Sequence, residues 1–282
     1  MYDQTTTKRM NAADRIVCAA FWAVIGLVLL AYGKVIFDIA LQGAHLISWD
    51  YLTGTPERSG RAGGVFPIVV NTIVVLAIAV VIALPISLAI ALYVTEYLSP
   101  GTRLVIIFRS SMLILASVPS ISFGLFGATF FAQYLGLGTS LLTGGLTLAV
   151  MIIPICAFAF EEVFRLLPVG YRNGAYALGA SKARFIFRVM IPACTTEIIT
   201  VVLLGAGRAL AETAALLFTS GYSDRMPESL LDPGRVLSVH IYDLAMNIPG
   251  GDRMATASSL LLIALFLLIS SAGLYFSNKS RL

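Results

Sequence analysis

The sequence has few charged residues and few of the side chains that bind metals or form disulfides. Only 12% of its 282 residues are charged, about half the share typical of soluble domains. Three cysteines, distant from one another, and two isolated histidines provide neither metal-ligand spacing nor a disulfide framework. The basic residues are scattered between apolar stretches rather than gathered on one face, which argues against nucleic-acid binding.

The sequence also lacks a nucleotide-binding loop. No glycine-rich segment ends in Gly-Lys-Ser or Gly-Lys-Thr, the sequence that cradles phosphates in P-loop ATPases. Nothing in the pattern of polar residues indicates covalent chemistry. We therefore expect a non-catalytic chain with no cofactor and no metal site of its own.

Apolar residues are abundant instead. They make up 58% of the chain, and the mean hydropathy is +0.90, more apolar side chain than one soluble core of this size could bury. Windows without charge predict an all-α membrane fold of six helices. Pro119-Ser120 predicts a break in the third span. The predicted spans are residues 16–40, 67–95, two helices separated by 133–143 within 110–160, 192–219 and 254–276.

The distribution of arginine and lysine predicts the orientation. Basic residues are concentrated in segments that share one side of the membrane, which the positive-inside rule places in the cytoplasm. Residues 1–15 are then a cytoplasmic N-terminus, 16–282 form the six-helix domain, and both termini are cytoplasmic. The loops 42–64 and 220–253 lie outside, either as a surface for an external partner or as plain connectors.

A cytoplasmic turn at residues 165–190 joins the fourth and fifth spans. The composition of Asn173 to Leu178 is typical of a short helix, and Gly179 follows at a position that favours positive φ. Ser181 can cap a second helix, Lys182 to Met190. Such a turn can dock in a groove of a soluble partner, and the alternative is an ordinary amphipathic loop.

The turn resembles the loop shared by permeases of ATP-binding-cassette (ABC) importers. That pattern is Glu-Ala-Ala, three residues, Gly, nine residues and Ile-x-Leu-Pro, and here Asn173-Gly174-Ala175, Gly179 and Val189-Met190-Ile191-Pro192 keep its spacing. Asn173 replaces the glutamate, and Gly174 replaces an alanine, which loosens the short helix by about 1 kcal/mol. The resemblance implies a type I ABC importer permease fold. It also implies that a separate ATPase is contacted by Asn173, Gly174, Ala175, Leu178, Gly179, Ala180 and Lys182.

Further motifs resemble one branch, the PstA-type permeases of phosphate importers. The segment Val118 to Gly127 is similar to the branch pattern Val-Pro-Ser-Ile-x-Phe-Gly-Leu-x-Gly, and Arg208 to Ala214 is similar to Arg-Ala-x-Gly-Glu-Thr-Ala. The similarity covers nearly everything from Gly63 onward. Other matching segments are Gly63–Pro67, Glu96-Tyr97 and Ser238–Tyr242.

This resemblance implies a multi-pass subunit in a prokaryotic plasma membrane that carries inorganic phosphate. Its implied partners are membrane lipid, a homologous PstC-type permease, two copies of a PstB-type ATPase that uses the ATP, and an external PstS-type phosphate-binding protein. Another oxyanion, such as sulfate, molybdate, tungstate or phosphonate, is the nearest alternative. A secondary transporter or channel and a non-transporting scaffold are others, although the sequence shows no inverted repeat.

Three charged residues are candidates for the translocation pathway: Arg208, Glu212 and Glu161. A charge in a membrane span usually faces a pathway or a partner. Arg208 and Glu212 are four residues apart, on one predicted helix face, and can neutralise each other. The planar guanidinium suits a tetrahedral oxyanion, and the alternative is a pair that merely locks two helices together. Glu161 could pair with Arg208 or Arg165, whereas Phe158 replaces an arginine of the family.

Overall fold

The computed structural model describes residues 12–99 and 101–279, and this part of the chain is almost entirely helical. The predicted N-terminal segment 1–15 therefore lies mostly outside the described residues. The helices are α1 Ala12–Ala44, α2 Trp49–Thr53, α3 Phe66–Glu96, α4 Arg103–Ser117, α5 Ser120–Gly127, α6 Leu141–Leu166, α7 Val169–Ala177, α8 Lys182–Phe185, α9 Ile191–Ala193, α10 Thr195–Leu210, α11 Ala214–Leu217, α12 Leu237–Met246 and α13 Asp252–Lys279. Two π-helical segments, Ala128–Tyr134 and Ile186–Met190, continue α5 and α8.

Four of the described helices are long and apolar enough to cross a membrane: α1, α3, α6 and α13. Two further candidates are bent pairs, in which two helices meet at an angle across a short break. If each bent pair is one span, the described residues contain six, the number that the sequence predicts. The all-α membrane fold is therefore confirmed.

The first bent span breaks at a proline, whereas the second breaks two residues after one. The first pair, Arg103–Ser117 with Ser120–Tyr134, bends by 91° at Val118-Pro119, because a residue that precedes proline is disfavoured in the helical conformation. This is the break that Pro119-Ser120 predicts. The second pair, Lys182–Ala193 with Thr195–Leu210, bends by 75° at Cys194, two residues after Pro192.

The fifth span differs from its predicted limits of 192–219. Its straight part, α10, ends at Leu210, and the backbone then leaves the helical conformation before the short helix α11. Apolar composition alone hides this end, because Ala-rich sequence continues through Ala215. The C-terminal part of the predicted span is therefore a turn followed by a separate helix.

The core forms where α3 packs along α6. Gly145 allows close approach, since a Cβ at this position would lie 2.5 Å from Cγ2 of Ile78. Ser87 of α3 donates a hydrogen bond to the carbonyl of Ile153 at 3.1 Å. By contrast, the apolar window of α1 is unburied, and α1 meets α13 where Gly43 faces Leu260.

The segment after α1 contains a small sheet that the sequence did not predict. Residues Pro56–Glu57 (β1) and Ala62–Gly63 (β2) pair antiparallel around the turn Arg58–Gly60. The hairpin lies beside α2, whose Tyr51 is buried and hydrogen-bonded to Ser258 at 2.8 Å. The hairpin adds two short strands to an otherwise helical chain.

Candidate functional site

The turn between α6 and α10 has the predicted helix–glycine–helix geometry. Gly179 has φ +75°, and the Ala180 N–H donates to the Ala175 carbonyl at 3.0 Å, which satisfies a carbonyl at the end of α7. The Ser181 hydroxyl accepts a hydrogen bond from the Arg184 N–H at 3.3 Å and so caps α8. The second helix runs without a break over Lys182–Ala193 and so contains the predicted Lys182 to Met190, although Ile186–Met190 is π-helical.

The predicted contact residues of the turn fall into two groups. Asn173, Gly174, Gly179 and Lys182 are exposed, and the apolar Leu178 side chain is 89% exposed. Ala175 and Ala180 are half-buried, and Ala175 packs against the core. The turn therefore presents an outward face that contains an exposed leucine, the kind of apolar side chain that a partner's groove would cover.

The inward side of the turn is held by residues that the sequence did not single out. Arg172 of α7 forms an ion pair and hydrogen bond with Glu96 at the end of α3. Phe185 of α8 is fully buried, and its ring contacts that of Tyr176, with centroids 5.5 Å apart. Burial and the Glu96 carboxylate raise the pKa of Tyr176. The turn is thus packed firmly onto the helical bundle.

The structure brings Arg208 and Glu212 together, although not in the way predicted. Arg208 Nη1 donates to Glu212 Oε2 at 2.7 Å. Glu212, however, lies beyond the end of α10 at Leu210 rather than on the same helix. The Ser238 hydroxyl fixes this turn by donating to the Glu212 backbone carbonyl at 2.7 Å. The ion pair therefore closes a helix end instead of lying along a helix face.

The two members of this pair differ in burial. The Glu212 side chain is 4% exposed, whereas that of Arg208 is 42% exposed. Arg208 borders an open apolar groove between α10 and α13, lined by Leu204, Leu262 and Phe266 among others. A guanidinium exposed on a membrane span is costly in lipid, so it is expected to face a partner chain or a water-filled path.

Glu161 belongs to a different cluster of charges. Its carboxylate, 2% exposed, accepts a hydrogen bond from Arg109 Nε at 2.9 Å and lies 3.6 Å from Arg165 Nε. Arg109 also donates to Glu162 at 2.9 Å. The expected pairing of Glu161 with Arg165 is confirmed, and the alternative with Arg208 is wrong. Arg109, which the sequence marks only as a cytoplasmic charge, joins the broken span to α6.

A second buried cluster lies in segment 220–253. Nη1 of Arg235 is 3.3 Å from Nδ1 of His240. Since an arginine side chain only donates hydrogen bonds, the histidine nitrogen is the acceptor. Burial and Arg235 lower the pKa of His240 to about 3, so the ring stays neutral at physiological pH. Asp243 lies 4.0 Å from the same Arg235 nitrogen. The ring also packs on Gly60, where a Cβ would lie 2.5 Å from Cε1, so the cluster fastens the β1–β2 turn to α12.

Comparison with known proteins places this geometry in a family. A model of the family "binding-protein-dependent transport system inner membrane component" matches residues 82–280, which contain both broken spans, the turn at residues 165–190 and all three predicted pathway residues. No group of three or more histidine, cysteine or acidic side chains in residues 12–99 and 101–279 is arranged to hold a metal ion.

Several curated relatives resemble the chain over most of its length. A Bacillus subtilis protein named "Probable ABC transporter permease protein YqgI" is 28% identical, and the aligned region covers 91% of this chain and 90% of the relative. "Probable phosphate transport system permease protein PstA" of Methanocaldococcus jannaschii is 29% identical, with 91% and 90% covered. "Phosphate transport system permease protein PstC" of Xylella fastidiosa is 32% identical, with 82% and 76% covered. The predicted resemblance to ABC importer permeases and their phosphate branch is confirmed.

Solved structures support the fold. One chain of a bacterial alginate ABC transporter superposes on this protein with a TM-score of 0.67 at 14% identity. The superposed region covers 95% of this chain and 94% of the alginate transporter's chain. At this identity the likeness concerns architecture alone, and it confirms the type I importer permease fold. The chain therefore belongs to the family of binding-protein-dependent transport system inner membrane components and is a permease subunit of an ABC importer.

Proposed function

We propose that this permease carries inorganic phosphate across the plasma membrane of a prokaryote. The observation that carries the proposal is the Arg208–Glu212 pair, in which a buried carboxylate holds a partly exposed guanidinium on a membrane span. The free donors of such a guanidinium match two oxygens of a tetrahedral oxyanion. Relatives named as phosphate transport permeases support the same substrate.

The partner proteins are assigned to the two sides of the membrane. A soluble PstB-type ATPase docks from the cytoplasm onto the exposed side of the Gly179 turn, two copies serving this chain and a PstC-type permease. A PstS-type binding protein delivers phosphate to the external segments 42–64 and 220–253. Both termini are cytoplasmic, ATP is bound only by the ATPase, and this chain binds no cofactor. Glu161, clamped by Arg109 and Arg165, holds the broken span in place rather than contacting phosphate.

Transport by the reconstituted complex tests this function. With the ATPase, the second permease and the binding protein present, we expect proteoliposomes to accumulate radiolabelled phosphate only when ATP is supplied. An excess of unlabelled sulfate or molybdate should not compete. Preferential uptake of sulfate or molybdate would establish the alternative oxyanion, and uptake that persists without the ATPase would establish a secondary transporter. The purified chain alone should not hydrolyse ATP.

Gly179→Val tests the role of the cytoplasmic turn. A β-branched residue at φ +75° is strained by at least about 1–2 kcal/mol, so the turn should change shape. We expect ATP-driven phosphate uptake to fall about tenfold or more, a typical size for the loss of coupling between two sites, while ATP hydrolysis continues.

Gly101→Val is the matched control for this change. Gly101 has φ +81° and, like Gly179, no atom within 4 Å of an added Cβ, but it lies outside the turn. The control should transport normally. If Gly179→Val takes up phosphate as well as Gly101→Val and the unmodified protein do, the turn does not couple the ATPase to transport.

A further inference from the structure

The cytoplasmic turn is fastened at two points to the last residue of α3. The carboxylate of Glu96, 3% exposed, pairs with Arg172 of α7. The backbone carbonyl of the same residue accepts a hydrogen bond from Lys182 Nζ at 3.3 Å, and this ammonium lies 5.1 Å from the ring centre of Tyr97. One helix end therefore holds both α7 and α8.

Arg172 also connects the two short helices to each other. Its guanidinium lies 5.9 Å from the ring centre of Phe185 in α8, within the range of a cation–π contact. Phe185 is fully buried and cannot move without disturbing the core. Arg172 therefore contacts α8 and α3 at once, while the neighbouring Asn173 is exposed.

We propose that Glu96 and Arg172 form a strut that transmits movement of the turn to α3. This inference rests on the proposed function, in which an ATPase docks onto the turn. Separating a buried carboxylate from its cation leaves an uncompensated charge, so α7 and the end of α3 move together rather than apart. Since α3 packs along α6 through Gly145 and Ser87, a shift of α3 repacks the core of the bundle.

Both residues of the strut are positioning residues, and coupling efficiency is the measurement that reports on them. In the reconstituted complex we expect Arg172→Gln and Glu96→Gln each to lower the phosphate imported per ATP hydrolysed by about tenfold. Because the two side chains act as one unit, the double variant should be no worse than the poorer single variant. A merely structural role would lower the yield of complex and leave this ratio unchanged.

Arg103→Gln is the matched control. It removes the same charge from an exposed residue that lies outside the turn and has no ion pair among the described residues. Its ratio of phosphate to ATP should equal that of the unmodified protein. A wild-type ratio in Arg172→Gln, with phosphate transport otherwise normal, would overturn the strut and leave the proposed function standing.

A measurement without substrate separates the strut from the choice of substrate. Spin labels on noncanonical residues at Tyr171 in α7 and Val81 in α3, both exposed, report the distance between the turn and the span. When a non-hydrolysable ATP analogue is added to the complex, we expect this distance to stay constant with the strut intact and to change in Arg172→Gln. A constant distance in both proteins would overturn the strut. Absence of phosphate uptake by the unmodified complex would instead overturn the proposed substrate.

Discussion

Arg208→Gln is expected to abolish phosphate uptake while the permease still assembles with its partners. Glutamine keeps much of the side-chain length but loses the charge and the paired donors that match two phosphate oxygens. A hydrogen bond to a charged group contributes about 1.5–3 kcal/mol, so uptake should fall by at least about tenfold. Radiolabelled uptake and size-exclusion chromatography of the complex measure the two properties separately.

The single variant has a second effect that must be removed before this result is interpreted. Glu212 is 4% exposed, and without Arg208 it becomes a buried carboxylate with no partner, which is itself destabilising. The double variant Arg208→Gln with Glu212→Gln removes both charges and so eliminates this penalty. If Arg208 serves transport, the double variant assembles and remains inactive.

The opposite result would identify a structural pair. Recovery of uptake in the double variant would mean that only neutrality at the end of α10 matters, and that the pair locks the Ser238 contact to Glu212 in place. Loss of assembly in Arg208→Gln, followed by recovery of both assembly and uptake in the double variant, would lead to the same conclusion. Arg208→Lys adds a further comparison, since lysine keeps the charge and loses the planar fork.

Features that depend on neighbouring residues could be predicted from the sequence. The Gly179 turn is one, because its hydrogen bonds join residues three to five apart, and glycine and serine at those positions favour them. The break at Pro119 is another, since proline acts on the residue before it. Both the turn and the break have the predicted geometry in the folded chain.

Features that depend on distant partners could not be predicted in the same way. Arg172 is hydrogen-bonded to Glu96, 76 positions away in the sequence, and Arg109 is hydrogen-bonded to Glu161, 52 positions away. In a chain with several arginines between its spans, composition does not decide which one reaches a given carboxylate. The end of α10 at Leu210 is likewise set by packing, because Ser238 binds the Glu212 carbonyl from another segment.

The glycines of the Val118–Gly127 motif have a steric explanation that the sequence alone did not provide. At Gly124 a Cβ would lie 2.9 Å from the Cα of Ala215, and at Gly127 it would lie 2.0 Å from Oγ1 of Thr147. Real Cβ atoms do not approach other atoms so closely, so α5 can pack here only with glycine. The motif therefore specifies the contact of the broken third span with α6 and α11.

Gly127→Val is accordingly expected to reduce the yield and thermal stability of the folded chain more than the other substitutions considered. Thr147 is fully buried, and its hydroxyl is held by a 2.7 Å hydrogen bond to the Thr143 carbonyl. The third neighbour, Cγ2 of Thr219, would lie 2.9 Å from the new Cβ and is equally buried. Neither side chain can withdraw, so the overpacking should cost about 3 kcal/mol, measured as loss of monodisperse protein in detergent and a lower melting temperature.

Two further variants connect this loss to the contact itself. Gly26→Val makes the same change within the span α1, where no atom lies within 4 Å of an added Cβ, and it should leave yield and melting temperature nearly unchanged. Combining Gly127→Ala with Thr147→Ala removes both of the nearest atoms and should recover part of the stability that Gly127→Ala alone loses. Normal yield of Gly127→Val would mean that α5 does not pack against α6 at this glycine. Equal losses from Gly26→Val and Gly127→Val would mean that valine in any span is harmful, whereas a loss confined to Gly127 assigns the effect to the crossing with Thr147.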